Sequence, residues 1–323
     1  MHDIITFGDI KLDTFVVLDD SSSVQCSIKM PECLLCLDYG AKILVKMVGT
    51  EIAGTASNVA IGLRRMGFKS GVVSNMGVDG TRIMALKRLE EEGVSTKFIH
   101  TAKNEKSSYS VVLNFKGEKT ILTSHIRHEY RFPRSINSTK WLFVGELGYG
   151  YSSLFRSLIS HVKKAGVSLM FNPGTIQIKE HLSILMDLIN DTTILIVNRE
   201  EAREIVESTS IEIHHLAPAL FKRGAKQVVI TDGASGSYYF DGKKILHCGT
   251  APGDLIEATG AGDAFATGFL GATMKCLPPE TALKWGAINA ASSIEKIGPT
   301  AGLLSKTQIE KRLAKARLTI EKM

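Results

Sequence analysis

The residues best suited to chemistry lie in segment 257–269, where a loop of small residues leads into an apolar helix. Gly260, Ala261 and Gly262 leave the amide groups at the start of that helix accessible. Such amides lack partners within the helix and carry the positive end of its dipole, so a phosphate group fits there. A carboxylate beside a phosphate is repulsive unless it takes a proton or binds a metal ion. Asp263 is therefore a candidate catalytic residue, with an ordinary helix N-cap as the alternative.

A second candidate follows a β-branched run that ends at Val197. Asn198 and Glu201 are three residues apart, at the expected carboxyl end of a strand. Their oxygen atoms suit Mg²⁺, which takes few protein ligands and keeps several waters. A capping box between the same two residues is the alternative.

Two further segments could contact a nucleotide. Thr231, Gly233 and Gly236 follow the next β-branched run, and their glycines would let a nucleotide lie against the backbone. A tight hairpin turn is the alternative for this segment. Asn289 lies in a helix of small residues, 285–291, which could flank an adenine ring or simply pack closely on the sheet.

Polar residues near the start of the chain are candidates for binding an acceptor. Lys11 and Asp13 follow the first β-branched run, and Gly54 and Asn58 lie at the start of a predicted helix. Asp13 and Asn58 suit vicinal hydroxyl groups, which need both donors and acceptors, although turn or cap roles fit them as well. Lys11 would share a strand face with Asp13. It could neutralise its neighbours or favour an acidic or phosphorylated acceptor.

The elements that position these residues alternate between strands and helices, which is typical of a doubly wound, mostly parallel α/β sheet covered on both faces. The pattern predicts strands at Ile4–Phe7, Gly71–Ser74, Trp141–Val144, Ser168–Phe171, Thr193–Val197 and Gln227–Thr231. It predicts helices at Ala56–Met66, Thr81–Gly93, Tyr151–Ala165, Ile213–Arg223, Ala261–Lys275, Glu280–Ile294 and Ser305–Ala316.

Two strand-rich stretches interrupt the alternation. Residues 107–123 indicate a β-hairpin, and residues 14–49 indicate two or three more strands. We expect them to pair as a small inserted β-sheet that acts as a lid over a core of residues 1–13, 50–106 and 124–323. The lid stretch contains apolar residues that a small sheet would leave exposed, which predicts a homodimer through the lid. These residues are Val24, Ile28, Leu34, Leu35 and Ile43.

Taken together, these motifs resemble the ribokinase-like carbohydrate kinases of the PfkB family. The resemblance covers nearly the whole chain and includes the Gly8-Asp9-x-x-x-Asp13 start, Gly77-Val78-Asp79-Gly80 and Thr259-Gly-Ala-Gly-Asp263 in the family's order. It implies a three-layer ribokinase-like fold and a phosphotransferase that moves the γ-phosphoryl group of ATP to a hydroxyl group.

The resemblance also implies a role for each candidate. Asp263 would be the base, and the amides of Gly260, Ala261 and Gly262 the anion hole. Asn198 and Glu201 would organise Mg²⁺ and its waters, with Asn198 also near the nucleotide. The implied nucleotide residues are Thr231, Gly233, Gly236 and Asn289, and the implied acceptor residues are Asp13, Gly54 and Asn58. Lys11 stands where ribokinases usually have Asn, so as a substrate-binding candidate it is a departure from the family pattern.

The chain departs from the common family pattern at Glu257-Ala258, where Asp followed by Thr or Pro is usual. This stretch helps to form a monovalent-cation site in many members, so Glu257 and Thr259 are candidates for binding K⁺. The substitution leaves activation by K⁺ an open question.

Composition narrows the class of protein. The chain has 323 residues, 44% of them hydrophobic and 22% charged, which is ordinary for a globular protein. A net charge of +6 comes with charges of mixed sign, and the one basic aromatic segment, Ser124–Arg134, is short, so nucleic acid is not an expected partner. That segment could instead be a solvated loop or the rim of a pocket for an anionic ligand. The absence of a long apolar run, of a signal-peptide pattern and of an even set of cysteines predicts a cytoplasmic protein with no membrane partner.

The leading hypothesis is therefore an ATP-dependent kinase of a sugar or sugar-like acceptor. A nucleoside kinase of the same fold is the alternative, with Phe15, Tyr39 and Tyr109 as candidates for a base-binding slot. From another class, the chain could be a non-catalytic relative that senses a sugar.

Overall fold

The computed structural model describes residues 1–19, 24–27, 34–116, 118–136 and 139–323. In chain order the strands are β1 (Ile4–Phe7), β2 (Lys11–Leu18), β3 (Val24–Ser27), β4 (Leu34–Leu37), β5 (Val45–Ala53), β6 (Ser70–Met76), β7 (Ser95–Thr101), β8 (Ser108–Phe115), β9 (Glu118–Ser124), β10 (Trp141–Val144), β11 (Ser168–Phe171), β12 (Ile194–Asn198), β13 (Val228–Thr231), β14 (Ser237–Phe240), β15 (Ile245–Cys248) and β16 (Ile320–Lys322). The helices are α1 (Thr55–Arg65), α2 (Gly80–Glu91), α3 (Ser152–Ala165), α4 (Thr175–Glu180), α5 (Ser183–Asn190), α6 (Arg199–Val206), α7 (Ile213–Lys222), α8 (Ala261–Met274), α9 (Pro279–Ile294) and α10 (Lys306–Leu313).

A large sheet forms the centre of the molecule. Its ten strands follow the order β16-β15-β14-β13-β12-β11-β10-β1-β6-β7 within the described residues. The strands from β7 to β13 in that order are parallel, and β14, β15 and β16 add an antiparallel edge. The predicted doubly wound, mostly parallel α/β class is confirmed.

Helices cover both faces of this sheet because its central strands are apolar on both sides. In β12, Leu195 and Val197 pack with helices α3 to α7, whereas Ile194 and Ile196 pack with α1, α8, α9 and α10. Successive side chains of a strand point to opposite faces, so an uninterrupted apolar run needs a helical layer on each side. The result is the predicted three-layer arrangement.

A second, four-stranded sheet has the order β5-β2-β8-β9, and we call it the lid sheet. Its β8–β9 hairpin matches the predicted one, and β2 pairs parallel with β8 and antiparallel with β5. Strands β3 and β4 pair separately. Leu18 of β2 and Phe115 of β8 form a small buried apolar cluster, and Leu35 and Ile43 pack against this cluster. The division of the chain into a core and a lid at residues 14–49 and 107–123 stays a prediction, and Ile28 lies outside the described residues.

The parallel strands end at one edge of the large sheet, where ligands bind in α/β folds of this kind. Asp9 follows β1, Glu146 follows β10, and Asn198 and Thr231 end β12 and β13. The lid sheet begins at this edge, since β2 starts at Lys11.

Candidate active site

Asp263 is the third residue of α8, and the loop before it turns sharply at Gly260. Gly260 has φ of 79°, and a Cβ atom on it would lie 2.7 Å from Cα of Pro299, so glycine is required there. Gly262 is exposed, with open space around the position of a Cβ atom. The amide of Ala261 donates to the carbonyl of Ala258 at 3.3 Å and so takes part in the turn. The helix start therefore presents a compact, small-residue surface beside a half-buried carboxylate.

Asp263 is held by a residue that the sequence assigned to the acceptor. Asn58 Nδ2 donates to Asp263 Oδ2 at 2.7 Å, although the residues are 205 positions apart. The bond needs α1 and α8 to pack closely, and Gly62 allows this because a Cβ atom there would lie 2.4 Å from Cγ2 of Thr267. Burial raises the pKa of Asp263, whereas Asn58 and the charge of Lys11 act to lower it. The net rise makes Asp263 a stronger base.

The predicted acceptor residues gather beside Asp263. Asp13 and Asn58 are only 3% and 2% exposed, and their Oδ1 atoms have no hydrogen-bond partner within the described residues. Burial raises the pKa of Asp13 although Lys11 and Ser110 oppose it. Gly54 has φ of 121°, and a Cβ atom there would lie 2.1 Å from the carbonyl oxygen of Asp9. The chain thus brings two unsatisfied oxygen acceptors close to the candidate base.

Lys11 binds a carboxylate that the sequence analysis did not single out. Its Nζ atom is 3.1 Å from Oε2 of Glu146, and Oε1 of Glu146 is 3.3 Å from Nε2 of His125. Burial alone would lower the pKa of Lys11, but Glu146 and Asp13 raise it above the ordinary range. Burial alone would raise the pKa of Glu146, but His125 and Lys11 lower it to about 2. Lys11 therefore pairs with Glu146, and its contact with an acceptor stays a prediction.

His125 and Tyr130 complete this network around Asp9. His125 Nδ1 is 3.5 Å from Asp9 Oδ2, Tyr130 donates its hydroxyl hydrogen to Asp9 Oδ1, and the amide of Gly148 donates to Asp9 Oδ2 at 3.0 Å. The basic segment Ser124–Arg134 thus turns His125 and Tyr130 inward and leaves Arg131 exposed. The usable sequence signal was a carboxylate, Glu146, two residues after the end of the predicted strand Trp141–Val144.

The predicted magnesium residues form a capping box at the start of α6. Asn198 Oδ1 accepts from the backbone amide of Glu201 at 2.8 Å, and Glu201 Oε2 accepts from the backbone amide of Asn198 at 2.8 Å. Burial raises the pKa of Glu201 to about 7, the charge of Glu146 adds to the rise, and the amide of Asn198 opposes it. Thr231 is the register partner of Asn198 in the neighbouring strand. The donor set, a carboxylate and a carboxamide, is made of the oxygen atoms that suit Mg²⁺.

The remaining nucleotide candidates differ in what their surroundings permit. Gly233, with φ of 50°, is open within 4 Å of the position of a Cβ atom, whereas a Cβ atom on Gly236 would lie 2.2 Å from the carbonyl oxygen of Cys248. Asn289 is fully buried. Its side-chain Nδ2 donates to the carbonyl of Ala264, and its Oδ1 accepts from the backbone amide of Leu304. That geometry matches the packing alternative for Asn289, and its contact with a nucleotide stays a prediction.

The loop before Asp263 holds a second buried carboxylate. Glu257 accepts from the amides of Thr259 at 2.6 Å and Gly298 at 3.3 Å, and the buried hydroxyl of Thr259 has no partner within the described residues. No group of three or more His, Cys, Asp or Glu side chains suited to a metal ion occurs in the described part of the chain. Lys119 of the lid sheet donates to the carbonyl of Ala258 at 3.0 Å and so contacts this loop. A monovalent cation at Glu257 and Thr259 stays a prediction.

Comparison with known proteins places this arrangement in a family. The model of the pfkB family carbohydrate kinases matches residues 14–306. The chain belongs to this family. It is therefore a phosphotransferase that acts on an alcohol group, and the kinases of this family use ATP. No helix in the described ranges has the length and apolar character needed to cross a membrane.

Individual relatives share the whole length of the chain at low identity. An ATP-dependent 6-phosphofructokinase of Thermoanaerobacterium thermosaccharolyticum is 24% identical over 310 residues, covering 92% of each chain. A nucleoside kinase structure from Methanocaldococcus jannaschii has a TM-score of 0.74 at 21% identity and covers 97% of this chain and 98% of its own. An Arabidopsis thaliana ribokinase structure, complexed with ribose and ATP, has a TM-score of 0.77 at 20% identity with the same coverage. The structural matches establish the ribokinase-like fold.

Proposed function

We propose that the chain transfers the γ-phosphoryl group of ATP to a hydroxyl group of a sugar or sugar-like acceptor, with Asp263 as the general base. The observation that carries this proposal is the bond from Asn58 to Asp263, next to Asp13, at the N-terminus of α8. This bond supports the proposal, because it brings a carboxylate, a helix start suited to phosphate and groups suited to hydroxyls close together.

In the proposed reaction, Asp13 and Asn58 orient the acceptor so that one hydroxyl faces Asp263. That hydroxyl oxygen forms a bond to the γ-phosphorus atom while the bond from this phosphorus to the bridging oxygen of ADP breaks. Asp263 takes the hydroxyl proton, and its raised pKa favours this transfer. The transition state is loose, so positioning and charge stabilisation supply most of the rate.

The amides of Gly260, Ala261 and Gly262 are proposed to face the transferred group, with the helix dipole behind them, and the amide of Ala261 would share its hydrogen with the carbonyl of Ala258. Thr231, Gly233 and Gly236 are proposed to hold the nucleotide. Asn198 and Glu201 are proposed to hold Mg²⁺ through water, and the ion would neutralise charge on the phosphate oxygens when bound. The raised pKa of Glu201 supports this assignment, because a buried carboxylate with acidic neighbours gains from a nearby cation.

The aromatic residues bear on the nucleoside alternative. Phe15 is buried, Tyr39 is fully exposed, and the hydroxyl of Tyr109 donates to Thr14 at 2.8 Å. These three side chains differ in exposure, and a base-binding slot formed by them stays the alternative that the nucleosides of the substrate panel would test.

Asp263→Asn tests the proposal. The variant should lower kcat by about 10²- to 10⁴-fold, the usual worth of a general base, while ATP binding and the melting temperature stay close to those of the wild type. Asp254→Asn is the matched control, since Asp254 is an exposed carboxylate in the same loop. The measurement is ADP release with a panel of sugars and nucleosides. A near-wild-type rate in Asp263→Asn would disprove the mechanism, and tight sugar binding with no ADP release in the wild type would favour the sensor alternative.

A further inference from the structure

Glu146 lies between two cations that come from the lid sheet's attachment points. Lys11 is the first residue of β2, and His125 directly follows β9, whereas Glu146 belongs to the core and follows β10. The side chains of Lys11, His125 and Glu146 are 12%, 6% and 20% exposed. Each oxygen atom of the Glu146 carboxylate is therefore paired with a largely buried cation, Oε2 with Lys11 and Oε1 with His125.

These two cations are opposed by more carboxylates than they can neutralise. Asp9, Asp13, Glu146 and Asp263 lie in the same region, and the charges of Glu146 and Asp263 act on Asp13. Lys119, which donates to the carbonyl of Ala258, is a third cation whose charge acts on Asp263, so four carboxylates face three cations. With the carboxylates ionised, the acceptor side of the site has a net negative charge.

The unsatisfied atoms of the site point to the same class of ligand. Oδ1 of Asp13 and Oδ1 of Asn58 are both hydrogen-bond acceptors, so they need donors from the ligand. Hydroxyl groups supply such donors, whereas the oxygen atoms of a carboxylate or phosphate dianion supply none, so the anionic group of a ligand does not fit these two positions. A ligand anion would also have to compete with Glu146 for Lys11 and His125, and burying an unpaired charge is costly.

Building on the proposed kinase function, we propose that the acceptor is an uncharged polyhydroxy compound. Glu146 enforces this selectivity by keeping Lys11 and His125 occupied. Lys11 is then a neutralising residue and not a binding residue for an acidic or phosphorylated acceptor.

The first experiment compares matched pairs of compounds with the wild-type protein. The pairs are ribose with ribose 5-phosphate, fructose with fructose 6-phosphate, and glucose with gluconate. ADP release gives kcat/KM for each compound, and the shift in melting temperature gives binding without turnover. We expect the uncharged members to exceed their charged partners by about tenfold or more in kcat/KM, because like-charge repulsion and lost pairing act together.

The second experiment changes the residue that enforces the selectivity. Glu146→Gln releases both cations, so the ratio of kcat/KM for charged over uncharged members should rise by about tenfold or more. Lys11→Gln should leave that ratio unchanged, because Lys11 is not expected to bind the charged group of an acceptor. Glu105→Gln is the matched control, because it removes a Glu–His pair with His128 in the neighbouring segment and should not change the ratio.

The outcomes separate this inference from the proposed function. A preference of the wild type for the charged members, in both turnover and thermal shift, would overturn the inference and leave the kinase function intact. Thermal shifts with only the uncharged members and no ADP release would overturn the function and support the inference. If Glu146→Gln does not fold, the wild-type comparison and Lys11→Gln still decide. A wild type that phosphorylates charged acceptors, together with a Lys11→Gln variant that loses activity with those acceptors alone, would contradict the inference.

Discussion

His125 joins three separate segments of the chain through two carboxylates. Burial alone would lower its pKa, but the hydrogen bonds to Asp9 and Glu146 raise it to about 9. In the unfolded chain a histidine has a pKa of about 6.5. The raised value means that the protonated ring stabilises the folded state fully below about pH 6.5, and that this contribution disappears as the pH rises through about 9.

His125→Gln should therefore destabilise the protein in a pH-dependent way. We expect the difference in melting temperature between wild type and variant to be largest near pH 6 and to shrink steadily towards pH 10, because the wild type loses its own advantage there. Thermal unfolding at a series of pH values measures this. His214→Gln, at an exposed histidine, should give no such trend. A difference that is constant with pH would mean that His125 acts through packing alone.

Residue types alone predicted part of the candidate site. Asp263, Asn58 and Asp13 stood out because each follows a glycine-rich or strand-ending pattern, yet the bond between Asn58 and Asp263 spans 205 positions and depends on helix packing. Glu146 and His125 were missed for a related reason. Their place in the site depends on their contacts with Lys11 and Asp9, and the local spacing of residues does not predict contacts between distant segments.

At the scale of elements, the start of α1 fixes the position of Asn58, a predicted acceptor residue. Gly54 precedes the helix with φ of 121° and lies against the backbone of Asp9, so the helix can begin close to the end of β1. Asn58 lies one turn later, and its amide nitrogen donates to the carbonyl of Gly54 at 2.9 Å. The position of Asn58 therefore depends on a contact that only glycine allows.

Gly54→Ala should lower both stability and acceptor binding. A Cβ atom 2.1 Å from the Asp9 carbonyl forces the backbone apart, in addition to about 1–3 kcal/mol of backbone strain. We expect KM for the acceptor to rise by about tenfold or more, since small misplacements of positioning residues are costly. Urea unfolding and acceptor kinetics are the measurements.

Gly67→Ala is the matched control for that prediction. Gly67 follows the same helix with φ of 94° but has open space around the position of a Cβ atom. It should show the backbone strain alone, with acceptor kinetics unchanged. Equal kinetic effects in the two variants would contradict the proposed role of Gly54.

The pattern of apolar residues predicted the central elements better than the edges. Each of the six predicted core strands and seven predicted helices corresponds to an observed element, because strands such as β10 and β11 are continuous apolar runs. Strand β7 was missed, since it is the edge of the large sheet and its side chains are mostly half-buried or exposed. Strand β16 has three residues, too few for any period to be recognised. Such strands form because they pair with a neighbouring strand, β6 for β7 and β15 for β16.

At the scale of the whole molecule, the lid sheet leaves apolar side chains exposed on both of its edge strands within the described residues. Its edge strands are β5 and β9, and both carry exposed apolar side chains. Val45, Met47 and Val48 in β5 are 46%, 64% and 40% exposed, and Ile121 and Leu122 in β9 are 43% and 56% exposed. Exposed apolar strands at a sheet edge favour association with another chain.

We therefore expect a homodimer in which the lid sheets of two chains cover each other's apolar residues. Light scattering at micromolar concentration should give twice the mass of one chain. A double variant, Leu44→Glu with Met47→Glu, places two charges where Leu44 and Met47 are 90% and 64% exposed, so it should give the mass of one chain without loss of folding. Ile211→Glu is the control, because Ile211 is 52% exposed before α7, which packs on β13 and β14 of the large sheet, and should leave the dimer intact. A monomeric wild type at micromolar concentration would contradict the prediction, and a dimeric double variant would place the interface on another surface.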